Sequence, residues 1–210
     1  MRQISGILHD LLIILPSAKK ISFTILNMKK DTIVQFVCFV TNLSGDEFAP
    51  QWEKFAAKLK SGKTESELQQ QTSHTKNRFR YISKHEWHEQ DIQFSFMKNK
   101  KTEHFPEHSV RVVQVGGYVP MQIKKKSSSS DDVVKLIAFI GHNEYDIDFY
   151  TQLPQARNLN IYQAFYENCT YSYVLEFFVP EKDVTELLLT LKQRAGVETG
   201  VYKECLVAQD

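Results

Sequence analysis

The stretch Leu159-Asn160-Ile161-Tyr162-Gln163-Ala164-Phe165, followed by Tyr171-Ser172-Tyr173-Val174-Leu175-Glu176-Phe177-Phe178-Val179, decides the fold. Both segments alternate with a period of two, which sets one row of side chains on a single face of a sheet. The period then changes. Val184, Leu187, Leu188 and Leu191 fall at i, i+3, i+4 and i+7, one stripe of a helix. Pro180 suits the helix entry, Glu181 and Asp183 complement its positive end, Lys192 and Arg194 its negative end, and Gly196 stops it.

Working outward, residues 133–140 form an apolar strand, and residues 144–153 carry a short helix on Ile147, Tyr150 and Leu153 that Pro154 closes. Residues 201–207 supply a last strand. The C-terminal half therefore runs β-α-β-β-α-β, the split βαβ order of ferredoxin-like units. The N-terminal half follows the same order. Residues 32–40 are almost continuously apolar, as expected of a central strand. Ser44 and Glu47 have capping-box spacing, and Phe48, Trp52, Phe55, Ala56 and Leu59 form a helical stripe that Ser61-Gly62 ends. That spacing makes Trp52 and the phenylalanines core residues covering the sheet. Residues 60–76 are polar and suit either a helical continuation or a loop. Residues 78–82 and 92–96 alternate on either side of a charged segment, which suggests a hairpin connected by residues 84–91. Residues 98–109 are basic, contain Pro106, and leave the second helix of this unit degenerate. Residues 110–119 form the last strand, with Gly116-Gly117 permitting a bulge or a close backbone approach.

Lys124-Lys125-Lys126-Ser127-Ser128-Ser129-Ser130-Asp131-Asp132 has the composition of a linker. The expected organisation is unit 1 over 28–123, a linker over 124–132 and unit 2 over 133–210. Residues 1–27 are expected to be an extension outside the native fold, the functional chain starting at Met28. The apolar run 7–15 is interrupted by His9 and Asp10, lacks a small-x-small cleavage pattern, and is too short to span a bilayer.

The chain has 210 residues, 42% of them hydrophobic, enough for one good core or two small ones. Its 26 basic and 25 acidic side chains nearly cancel, so no overall field favours nucleic acid or an anionic membrane. Cys38, Cys169 and Cys205 lack CxxC spacing, which excludes a zinc motif or disulfide framework and suits a reducing, cytoplasmic compartment. Cys38 and Cys205 sit in apolar runs, and Cys169, at a turn, is expected to be the more exposed thiol.

The densest cluster of ligand-type side chains is His85-Glu86-Trp87-His88-Glu89. It is not the H-E-x-x-H zinc motif, because the second histidine comes one position early. Its bland reading is a solvated hairpin tip, and its functional one an acid–base pair of Glu86 and His88 on one side. His104 and His108 flank Pro106 and read as a surface loop. His142 ends the strand 133–140, where an imidazole can look into a cleft or cap the following helix. Tyr162 and Tyr173 are the ligand-binding candidates on aromatic sheet faces that otherwise serve packing. The lysines near 98–101 and 124–126 read as a solvated loop and linker, and no RNP1 consensus is present.

The element order over residues 31–208 resembles the dimeric α+β barrel superfamily, here with two tandem ferredoxin-like units on one chain. The fold class expected is α+β with antiparallel sheets. The resemblance implies packing of the two sheets face to face, and enzymes that bind heme, aromatic polyketides or small hydroxylated substrates between sheet and helices, often through a histidine. No cofactor, heme and flavin included, is assigned from the residues, and no metal site. With no nucleophile–base pair, phosphate loop or metal spacing, the expectation is a non-catalytic binding or assembly module. The alternative is a small-molecule enzyme or ligand binder, monooxygenase-like, using an aromatic cavity between sheet and helices. The expected partners are a small apolar or aromatic ligand and a second copy joined through sheet faces or edges, with neither nucleic acid nor membrane.

Overall fold

The computed structural model of the chain describes residues 32–59, 64–72, 78–87, 109–123, 133–142, 146–194 and 196–205. Eight strands close into an antiparallel barrel: β1 (Ile33–Thr41), β2 (Thr64–Gln71), β3 (Tyr81–Trp87), β4 (Val110–Gln122), β5 (Val133–Gly141), β6 (Leu159–Ala164), β7 (Tyr171–Pro180) and β8 (Val197–Glu204). Among the described residues three α-helices accompany them, α1 (Gly45–Leu59), α2 (Ile147–Gln152) and α3 (Val184–Lys192). Around the barrel the order is β1-β3-β2-β8-β5-β7-β6-β4, with β4 returning to β1. Closure gives every one of these strands a neighbour on both sides.

Three apolar clusters follow from the strand period. Phe39, Tyr81 and Trp87 on the outer face of the first half pack under Phe48, Trp52 and Phe55 of α1. Leu136, Leu159, Leu175 and Phe177 on the outer face of the second half pack under Leu187, Leu188 and Leu191 of α3. The intervening positions point inward: Phe36, Ile82, Tyr118, Ile137, Phe139, Tyr162 and Val174 form the barrel interior with residues of both halves. Phe36 meets Tyr118 and Tyr162 edge-on, at 5.7 and 5.3 Å between ring centroids, the favoured geometry for buried aromatic pairs.

Local signals place the helices. The capping box forms as spaced, with Ser44 N–H and Oγ–H both donating to Glu47 Oε2 at 2.7 and 2.8 Å. Asp146, not His142, caps α2, accepting from Phe149 N at 3.1 Å. Gly196, with φ of 76°, makes the left-handed stop before β8.

Several expectations need correction. Residues 64–71 are neither helix nor loop but β2, and Lys84, His85 and Glu86 are the middle of β3, paired with both β1 and β2, not a solvated hairpin tip. The partner strand expected at 92–96, the connection at 98–109, the linker at 124–132 and the extension at 1–27 lie outside the described residues. Cys169 is buried, its Sγ 3.5 Å from the Gly117 carbonyl, whereas Cys205 is the partly exposed thiol. The irregularity in the β1–β4 pair falls between Cys38 and Phe39 and not at the glycines.

The glycines instead permit close approach. A Cβ on Gly116 would lie 2.6 Å from the Tyr118 ring, and one on Gly200 would lie 2.7 Å from the Tyr202 ring. Both rings are fully buried. Gly116→Ala and Gly200→Ala are each expected to cost about 1–3 kcal/mol through overpacking. Urea unfolding checks this, and unchanged midpoints would mean that the rings can step aside.

Candidate functional site

The two halves meet unevenly. Between them β2 and β8 pair only over Gln69–Gln71 with Glu204–Tyr202, so the first part of β2 runs on without β8 beside it. There the interior opens as a cleft of about 480 Å³, within the range of small-molecule sites. Strand alternation decides which residues line it. In β2 the inward residues are Glu65 and Glu67, in β3 Lys84 and Glu86, in β5 Lys135, in β6 Asn160 and in β7 Glu176 and Phe178.

At the floor lies Glu176, with 0% of its side chain exposed. Its Oε2 accepts three hydrogen bonds: from Tyr162 Oη–H at 2.8 Å, Asn160 Nδ2 at 3.2 Å and Lys84 Nζ at 3.4 Å. Lys84 Nζ also donates to the Tyr162 oxygen at 2.9 Å and stands 3.4 Å from Glu86 Oε1. Across the seam Lys135 Nζ bonds Glu67 Oε1 and lies 3.9 Å from Glu176 Oε1. Glu176 Oε1 itself accepts no hydrogen bond. A buried carboxylate oxygen without a donor is costly, and the chain leaves this one beside an open cleft.

The charges explain the protonation states. Burial pushes the Glu176 carboxyl up, but Lys84, Lys135 and the Tyr162 and Asn160 hydrogen bonds outweigh it and hold the group below the usual carboxylate range. Burial alone would lower the Lys84 ammonium, and Glu176, Glu86 and Glu67 raise it instead. Burial and then the Glu176 charge push the Tyr162 phenol well up. At neutral pH the floor therefore holds an ionised carboxylate, an ammonium and a neutral phenol in one hydrogen-bonded chain. Such a chain fixes the positions of its charges and can orient a polar ligand.

The residues singled out in the sequence scatter. Tyr162 belongs to this network. Glu86 is on the cleft wall, 35% exposed, and its proposed partner His88 lies outside the described residues. Tyr173 packs on the outer face with the α3 cluster. His142 looks into no cleft: its Nε2–H donates to the Cys169 carbonyl at 2.7 Å, and its Nδ1 accepts from the Ser172 hydroxyl at 2.8 Å. Sequence reasoning missed Lys84, Lys135, Glu67, Asn160 and Glu176. The available signal was Glu176 itself, a lone carboxylate inside the apolar strand 171–179, where a charge must find partners.

The aromatic cavity expected between sheet and helices is absent among the described residues, because both outer faces are filled by side chains of α1 and α3. Among the described residues, heme, which the fold resemblance implies, finds no room there. His85 and His142 are the described histidines, and each has both ring nitrogens engaged. His85 is fully buried and sits between Ser66 Oγ at 2.8 Å on Nδ1 and Ser83 Oγ at 2.6 Å on Nε2, with Trp52 Nε1 donating to Ser83 at 2.7 Å. Burial lowers its pKa to about 3, so the imidazole is neutral and serves the packing of α1 on the sheet. No group of three or more metal-ligating side chains occurs among the described residues.

No family model matches the chain, and no curated protein matches it by sequence. Solved structures do. A substituted form of chlorite dismutase from Candidatus Nitrospira defluvii superposes with a TM-score of 0.50 at 11% identity, covering 83% of this chain and 92% of that one. The same enzyme in complex with imidazole gives 0.45 at 12% identity, over 84% and 93%. A monooxygenase-type protein from Lactobacillus acidophilus gives 0.43 at 9% identity, over 86% and 97%. The first of these shows that the chain shares its barrel fold with that protein. It also overturns the expectation of a non-catalytic binding or assembly module, because the barrel that this chain matches is that of an enzyme. Among the described residues no helix is long and apolar enough to cross a membrane.

Proposed function

We propose that the chain is a small-molecule enzyme or ligand binder of the monooxygenase-like α+β barrel type, with its site in the barrel-mouth cleft rather than between sheet and helices. The observation that carries this is Glu176: a fully buried, ionised carboxylate with one oxygen fully bonded and the other without a donor, beside an open cleft. Its roles are shared. Lys84 and Lys135 hold charge, Tyr162 is the proton-bearing group, Asn160 fixes the carboxylate, and Phe178 and Tyr202 give the wall an apolar surface.

We further infer that the two halves, over 28–123 and 133–210 with a linker over 124–132, are copies of one ferredoxin-like unit. In support, each half contributes its four strands in the order fourth, first, third, second. Each fourth strand carries a glycine two residues before a buried tyrosine, Gly116 with Tyr118 and Gly200 with Tyr202. The pairings Phe36 with Gly116 and Lys84, and Ile137 with Gly200 and Glu176, are equivalent. Lys84 and Glu176 thus occupy matching positions, a lysine in one copy facing a glutamate in the other. Three free cysteines accord with a cytoplasmic protein. Self-association would use the apolar side chains left exposed at Val112, Met121 and Ile123 of the β4 region.

Native mass spectrometry of the purified chain tests the site. The chain is expected to retain or take up a small molecule, and the double variant Lys84→Met with Glu176→Leu, once shown to be folded by circular dichroism, is expected to lose it. A folded double variant that binds as the natural chain does would move the site elsewhere.

A further inference from the structure

The charge balance of the cleft specifies what it takes. Five glutamates line it against three lysines, a surplus of two negative charges. Lys84 and Lys135, the two less exposed of the three, do not lie free to receive an anion. Lys84 is committed to Glu176, Glu86 and the Tyr162 oxygen, and Lys135 to Glu67. Acidic surplus alone would be an ordinary solvated rim, but here it surrounds a fully buried carboxylate oxygen that lacks a donor. What the site lacks is positive charge and N–H groups. Its apolar surface, the rings of Phe178 and Tyr202 with Val133 and Val134, suits a short hydrocarbon stem, and the Phe178 ring already carries an ammonium, Lys135 Nζ, 5.6 Å from its centroid.

We propose that the cleft binds a small organic cation, a ligand presenting a primary ammonium or an amidinium-like group on a short apolar stem, with Glu176 Oε1 as its acceptor. The inference rests on the cleft being the functional site and adds the chemical class of its ligand. A ligand N–H within reach of Glu176 Oε1 supplies the missing donor, and its charge offsets the surplus carboxylates, the partly exposed Glu86 among them. An anion would instead meet the surplus unscreened in a site of reduced dielectric.

The test uses the full chain at low ionic strength and three probes of matched length: 1,4-diaminobutane, butane-1,4-diol and succinate. Thermal shift and isothermal titration read the binding. The diamine is expected to raise the Tm and bind at least tenfold more tightly than the diol, with succinate giving no shift. Glu176→Gln is expected to weaken the diamine at least tenfold. Because that change touches the buried network, Glu86→Gln, on the partly exposed wall, provides a second reading, with several-fold weakening expected. Tighter binding of succinate or equal binding of the diol would overturn the cation assignment and leave the cleft as a small-molecule site. No binding by any of the three would count against both. Diamine binding unchanged in both variants would overturn the assignment to this cleft.

Discussion

Lys84→Met is expected to destabilise the chain by about 3 kcal/mol, the low end of the range for breaking a buried ion pair. The reason is not the lost attraction but what remains. Glu176 is fully buried, and without the ammonium it keeps only Tyr162 and Asn160 as donors, with Lys135 3.9 Å away at its other oxygen. Methionine fills the stem volume of lysine, so little cavity cost is added. Adding Glu176→Leu removes the stranded charge, and the double variant is expected to recover most of the loss, because apolar replacements of whole buried pairs are often neutral. Urea unfolding of the natural chain, both single variants and the double variant gives the coupling directly. Strictly additive losses would mean that Lys84 and Glu176 do not depend on one another.

Acid is expected to weaken the fold well before the carboxylates protonate. In the unfolded chain His85 binds a proton near pH 6.5, whereas the buried imidazole does so only near pH 3. Between these values the unfolded state holds more protons, so stability rises with pH and is lost on acidification, at about 1.4 kcal/mol per pH unit and about 5 kcal/mol in all. The depressed carboxyl of Glu176 acts lower. Its contribution is present above the unfolded value of roughly 4.3 and is lost as pH falls through the lower folded value. Lys84 has the opposite sign: its contribution is complete below the unfolded value of about 10.4 and is lost as pH rises through the higher folded one. The slope from pH 6.5 to 4.5 is therefore the signature of His85. It is measured by urea midpoints across that range, and His85→Asn is expected to flatten it while lowering the stability at neutral pH, where Ser66 and Ser83 lose their partner. An equal slope in the variant would assign the acid sensitivity to another group.

The parts of the fold legible in the sequence were those built on apolar periodicity. Strands 171–179 and 159–165, the stripe of α3 and the capped α1 each bury one apolar face against another, so their patterns state their surroundings. The first half failed where the buried face is polar. In β2, Thr64–Gln71, the inward positions are Glu65, Glu67 and Gln69, and Leu68 is the lone large apolar residue facing α1. In β3 the inward Lys84 and Glu86 alternate with the outward His85, so a strand with charged inner side chains looked like a solvated charge run. The period of two was present in both, but in charge and not in hydropathy. That is also why the candidate site was missed. The histidines drew attention as ligands, and the structure binds both described ones in hydrogen bonds to serines and a backbone carbonyl. The chemistry instead collects where Lys84 from one half meets Glu176 from the other, a contact of sequence separation 92 that no local window contains.

The central claim is that Glu176 is an ionised, buried carboxylate at the floor of a ligand-binding cleft. Carboxyl ¹³C NMR on glutamate-labelled chain, with the Glu176 signal assigned by its loss in Glu176→Gln, measures both halves of that claim at once. The expected result is a signal that stays ionised well below the usual glutamate range and moves when the small molecule identified by mass spectrometry, or 1,4-diaminobutane, is added. A Glu176 signal that titrates normally, or that stays fixed while residues under α1 or α3 respond to the ligand, would contradict it.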